Sequence, residues 1–135
     1  TALAKFRQMV AAQGGDVAQV DNPDLLPTAS LQATINAPQR GYVAQVDALG
    51  VGHAVLELGG GRLKKTDPID HAVGVLTHVK VGDQVTEGQL IFTLHGNDPA
   101  KLEAAREHLV KALQITDEPA ARLPLFYEVR EGSPA

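Results

Sequence analysis

Between positions 31 and 58 the apolar residues change period, and that change limits the fold more than any other feature. Leu31, Ala33, Ile35 and Ala37 alternate with Gln32, Thr34 and Asn36, the period-two pattern of a half-buried strand. Tyr42 to Val46 reads as a second strand after a turn at Pro38 to Gly41. Ala48, Val51, Val55 and Leu58 then fall at helical spacing, with Asp47 placed as the N-cap and Gly52 small enough to let the helix approach a sheet. A chain that must bury both a sheet face and a helix stripe is α+β.

The flanking segments extend this pattern. Thr1 to Gln13 reads as a helix through Leu3, Phe6, Met9 and Val10, stopped by Gly14-Gly15. Asp16 to Pro27 reads as a surface connection, because Asn22-Pro23 and Leu26-Pro27 disfavour helix. Ile69 to Val81 is rich in branched residues and is expected to be strand. With Gln84-Val85 and Leu90 to His95 it would make a run of antiparallel strands around turns at Gly82-Asp83 and Glu87-Gly88. Asp98-Pro99 opens a last helix whose stripe is Leu102, Ala105, Leu109, Ala112 and Leu113. It is expected to end at Thr116 to Pro119, and Leu125 to Val129 would add a final strand.

Composition narrows the function classes. The 135 residues carry a net charge of −4, four per cent aromatics and no cysteine. Without cysteine there is no disulfide framework, thiolate nucleophile or Cys-type zinc site. The acidity and scarce aromatics argue against a nucleic-acid surface. No apolar run approaches the ~20 residues needed to span a bilayer, so no membrane partner is expected and the location is read as cytoplasmic. Thr1 is not a start methionine and already lies in helical pattern, which points to a piece of a longer protein.

No catalytic centre emerges. Gly59-Gly60-Gly61-Arg62-Leu63-Lys64-Lys65-Thr66 nearly spells the phosphate-binding pattern G-x-x-x-x-G-K-S/T. However, Lys64 replaces the second glycine, and a helix precedes the loop where a strand is required. Gly50-Val51-Gly52 begins a dinucleotide fingerprint that lacks its third glycine at Val55. Histidines 53, 71, 78, 95 and 108 show no recurring ligand spacing, with His71, His78 and His95 falling in expected strands; no metal or cofactor is expected. Ser30 and Ser133 are the only serines, and Glu103 and Glu107 share a solvated helix face with Arg106 and Lys111.

Several strings nevertheless occur in a telling order. Lys5-Phe6, Met9-Val10 and Gln13-Gly14-Gly15-Asp16 resemble the segment K-F-x-x-M-V/I-x-x-Q-G-G-D of thymidine and pyrimidine-nucleoside phosphorylases. Gly41-Tyr42-Val43, Asp47-Ala48, Leu58-Gly59-Gly60-Gly61-Arg62, Asp67-Pro68-Ile69-Asp70, Val73-Gly74 and Lys80-Val81-Gly82-Asp83-Gln84-Val85 resemble that family's C-terminal domain, as do Leu113-Gln114-Ile115 and Asp117-Glu118-Pro119. The resemblance covers nearly the whole chain. It implies an α/β hammerhead related to the barrel-sandwich hybrid, with residues 30–135 as that domain and residues 1–29 as a helix and connection from the preceding part of the enzyme.

The reaction implied is reversible phosphorolysis of a pyrimidine nucleoside to the free base and a pentose 1-phosphate. The family's K-x-R-D-G signature and K-H-S-x-G-G phosphate loop are absent from these residues, so no catalytic residue transfers to a numbered position and the chain alone is expected to be inactive. The partners implied are the missing helical and phosphate-binding parts of the same enzyme, in a parent expected to be a homodimer. Gly60, Gly61, Arg62 and Lys64 are the candidate contacts as the parent's domains close. The family commonly has alanine where Gly60 stands, which implies a looser loop here.

A carrier or binding module is the competing reading. Val79 to Leu90 resembles the strand-turn-strand section of biotinyl and lipoyl domains. The modified lysine would have to be Lys64 or Lys65, whose Arg-Leu-Lys-Lys-Thr setting lacks the Met-Lys or Asp-Lys context.

Overall fold

The computed structural model describes residues 1–62 and 64–130. Helix α1 (Ala2–Ala12) begins where Thr1 Oγ1 accepts the Ala4 amide at 3.3 Å and ends ahead of Gly14 at φ 76°. The expected connection beyond it is more ordered than its prolines imply. It holds a short α2 (Ala18–Asp21) and a 3₁₀ turn (Pro23–Leu25), with the Ala18 amide on Asp16 Oδ1 and the Asp24 amide on Asn22 Oδ1. Proline disfavours helix for the residue before it but is at home in a first turn. Arg7 makes a two-pronged ion pair with Asp21, at 2.9 and 3.0 Å, which holds the Asp21 carboxyl below its ordinary value. Both side chains are exposed, so the pair ties α1 to α2 only weakly.

Among the described residues, six strands form two antiparallel three-stranded sheets. In the first, β5 (Leu90–Gly96) lies between β1 (Leu31–Asn36) and β3 (Gly74–Thr77). In the second, β2 (Gly41–Val46) lies between β4 (Gln84–Val85) and β6 (Leu113–Thr116). Successive strand side chains point to opposite faces, yet Ile91, Phe92, Thr93 and Leu94 are all buried, so β5 is covered on both sides. Ile35, Val43, Val79, Val85, Ala54, Leu58, Ala105 and Leu109 complete this core. Each large aliphatic or aromatic side chain buried here contributes about 1.5–3 kcal/mol by removal from water.

Two helices close the core. Asp47 caps α3 (Ala48–Leu58) by accepting from the Leu49 and Gly50 amides, and Gly59 ends it in the left-handed conformation at φ 102°. The buried face is Ala54 and Leu58 with Val51 and Val55 half-buried, while Ala48 is exposed. Gly52 makes no close approach: a Cβ there would meet nothing within 4 Å. The tight contact falls at Gly50, against α4 (Pro99–Ala112). Asp98 caps α4 through the Ala100 and Lys101 amides, with Pro99 in the first turn.

Several expected boundaries move. The last helix stops at Ala112, and residues 113–116, expected as helix, form β6, with Leu113 opposite Val46 and Ile115 opposite Val43. A free edge of β2 and the branched Ile115 and Thr116 outweigh helical periodicity there. The strand expected over 69–81 is confined to Gly74–Thr77. Before it, Asp70 Oδ1 accepts the Ala72 amide; after it, Gly82 at φ 91° turns the chain so that its amide reaches the Val43 carbonyl. β4 belongs to the second sheet, so the strands from 74 to 96 are not one continuous run. Leu125 to Val129 forms no strand, because no strand edge among the described residues pairs with it. Two of the expected strand histidines also lie elsewhere: His71 is in a turn and His78 follows β3, leaving His95 in β5. No helix among the described residues is long and apolar enough to cross a membrane.

Candidate functional site

The glycine-rich segment leaves α3 at Gly59 and returns at Asp70, whose amide donates to the Gly59 carbonyl at 2.9 Å. That bond closes the base of a surface loop whose ends are adjacent in space. Within it the Lys64 amide donates to Asp67 Oδ2 at 2.8 Å and the Asp67 amide to the Lys64 carbonyl at 3.0 Å, making a tight inner turn. Arg62, Lys64 and Lys65 are exposed. The loop thus presents three cations on a backbone closed at its base and tightened by an inner turn.

Gly60 is held more firmly than its sequence implies. Its amide donates to the Val55 carbonyl, and a Cβ would stand 2.7 Å from Val55 Cγ1. Gly61 is similarly close to Leu56 Cδ1. Close packing on α3, not a left-handed backbone, therefore favours glycine at Gly60, whereas the close atom at Gly61 is the movable tip of Leu56. Between the loop, the end of α3 and the start of α4 lies an open cleft of about 300 Å³ lined by Glu57, Gly59, Gly61, Asp67, Pro68 and Lys101. The Lys101 ammonium sits 3.6 Å from the position of a Cβ on Gly59. A cation suits the partly negative C-terminal end of α3. Sequence reading passed over Lys101, although its spacing from the Asp98 cap placed it in the first turn of the last helix.

Asp70 anchors the loop's return. The Ala72 amide first, then the Asn97 side-chain amide, hold its carboxyl below the ordinary value; the charges of His71 and Lys101 act in the same direction, against a burial penalty. Asn97 Nδ2 donates to Asp70 Oδ2 at 2.8 Å, while Asn97 Oδ1 accepts from the Ser30 amide at 2.8 Å and hydroxyl at 3.0 Å.

The loop lacks the strand-loop-helix setting of the phosphate-binding pattern. Helix α3 precedes it, and among the described residues Pro68 and an irregular stretch lead from it to strand β3, with no helix directly after it. His53 and His108, distant in sequence, meet edge to face with ring centres 5.9 Å apart, and His108 lies 4.0 Å from Glu57. Among the described residues no group of three or more histidines and carboxylates is placed to hold a metal ion. Lys64 and Lys65 lie between a helix and a strand, not at the tip of a hairpin between paired strands.

Comparison with known proteins places this core and its glycine loop in a family. Residues 42–116 match the family described as the pyrimidine nucleoside phosphorylase C-terminal domain. The pyrimidine-nucleoside phosphorylase of Staphylococcus aureus (strain USA300) is 43% identical over 96 residues, covering 71% of this chain and 22% of that protein. That of Staphylococcus haemolyticus (strain JCSC1435) is 45% identical over 97 residues, covering 72% and 22%. The chain therefore spans about a fifth of the length of these curated relatives. With more than half of its residues matched, and with helices α3 and α4, strands β3 to β6 and the glycine loop inside the match, the chain belongs to the pyrimidine nucleoside phosphorylase C-terminal domain family.

Proposed function

We propose that this chain is the C-terminal, mainly structural part of a pyrimidine-nucleoside phosphorylase, and that its glycine loop contributes to domain closure. The match of residues 42–116 to the family carries the reading. In the parent, phosphate attacks the sugar's anomeric carbon, the bond to the pyrimidine nitrogen breaks, and the base leaves as a pentose 1-phosphate forms. Such chemistry needs a polarised phosphate cradle and groups that stabilise charge on the departing base. Those groups belong to the upstream parts of the enzyme, so residues 1–135 alone do not turn over nucleoside.

Residues 30–135 constitute the α/β hammerhead, and two packed antiparallel sheets with two capped helices are consistent with it. Residues 1–29 come from the preceding part. The exposed stripe of α1, with Leu3 65% accessible and Phe6 and Met9 about half so, supports a docking face for that part. The parent is a cytoplasmic homodimer in this reading. Gly60 and Gly61 shape the loop, and Arg62, with Lys64 beside it, meets the opposing domain as the substrates are enclosed. The carrier alternative is not favoured, since neither lysine occupies a hairpin tip.

Arg62→Ala in the full-length parent tests the closure role. Loss of a closing contact lowers kcat or raises KM. Unchanged kinetics would leave the scaffold role alone.

A further inference from the structure

Three segments distant in sequence meet at one side-chain amide. Ser30 enters β1, Asn97 leaves β5, and Asp70 ends the glycine loop. The orientation of the Asn97 amide is forced, because a backbone N–H only donates and a carboxylate only accepts. Its oxygen must therefore face Ser30 and its nitrogen Asp70, which the distances of 2.8 Å on each side bear out. Asn97 is itself held between the most buried strand of the fold and the Asp98 cap of α4. Asp70 passes the connection on through its amide to Gly59 and its second carboxylate oxygen to Ala72.

We propose that Asn97 is a positioning residue that couples the connection entering the domain at Ser30 to the loop from Gly59 to Asp70, so that the two shift together. This rests on the reading of that loop as a closure element. The connection leads to the part of the chain assigned to the preceding domain, and the loop carries the cations assigned to meet an opposing one. A single amide bonded to both transmits a change at one to the other. Asn97, Ser30 and the bonds between them lie at the surface.

Amide hydrogen exchange of the full-length parent enzyme tests the coupling from both ends. Ser30→Pro removes the backbone donor and the hydroxyl without touching the loop. Its expected effect is exchange roughly threefold or more faster in peptides covering residues 64–72. Asn97→Asp keeps an acceptor for Ser30 but sets a carboxylate against Asp70. It is expected to speed exchange in 64–72 and also in 27–31. The Asn97→Asp measurement stands alone if Ser30→Pro does not fold. Changes confined to the substituted side, with 64–72 unaltered in Ser30→Pro or 27–31 unaltered in Asn97→Asp, would overturn the coupling. Kinetics of Arg62→Ala report separately on closure: unchanged turnover there combined with two-sided exchange effects removes the closure reading and leaves the Asn97 junction standing.

Discussion

A Cβ added to Gly50 of α3 would lie 2.9 Å from the Cβ of Ala112 in α4, closer than two such atoms can pack. The helices meet through a glycine against an alanine. The same corner is stitched by the Asp47 amide, which donates to the Ala112 carbonyl at 2.9 Å, so the cap of one helix and the end of the other share one junction. Gly50→Val should destabilise the chain by about 1–3 kcal/mol through overpacking. Gly52→Ala, two residues on and facing open space, should stabilise it by about 0.4–1 kcal/mol. Denaturant midpoints of the two variants should move in opposite directions from the parent sequence.

Gly59 sets where α3 ends and where the loop begins. At φ 102° an L-residue is strained whatever the space around it, and Gly59→Ala should cost about 1–2 kcal/mol. Gly60→Ala tests a different cause, because its backbone is ordinary and the obstacle is Val55. Pairing Gly60→Ala with Val55→Ala should remove much of any loss, whereas no second substitution at a neighbour should rescue Gly59→Ala. Unfolding midpoints of Gly59→Ala, Gly60→Ala, Val55→Ala and the Gly60→Ala/Val55→Ala pair check both statements.

Asp70 gives the loop a pH dependence of definite sign. Its carboxyl in the folded chain titrates below the ordinary value near 3.8, so the unfolded chain binds more protons in that interval. The stabilisation is fully present above the ordinary carboxylate range and is lost as pH falls through the lower folded value. The difference in unfolding midpoint between the unsubstituted chain and Asp70→Asn should therefore be constant from pH 7 to about 5 and shrink in stronger acid. A difference that grew as the solution was acidified would contradict the assignment.

The parts of the fold legible from residues alone are those where local pattern and tertiary packing agree. Leu31, Ala33 and Ile35 alternate on the covered face, Ile35 buried and the other two half-buried; Asp47 and Asp98 read as caps and do cap; Gly59 reads as a helix stop and is left-handed. Leu113 continues the helical stripe of Leu109 and Ala112, and only pairing with Val46 across the fold makes it strand. The valines from 73 to 81 carry strand propensity throughout, but the Asp70 and Gly82 turns decide its length. In the loop, Arg62 and Lys64 were visible as cations after glycines. The junction at Asn97 was not, because its partners lie 67 and 27 residues away and no periodicity links them.

The central claim is that this chain is a non-catalytic part of a phosphorylase. It is tested most directly by measuring release of free base from uridine and thymidine with inorganic phosphate, using the full-length parent and residues 1–135 side by side at equal concentration. The account predicts phosphate-dependent release by the parent and none above the uncatalysed background by residues 1–135. Phosphate-dependent release by residues 1–135 alone, or none by the parent with either nucleoside, would contradict it.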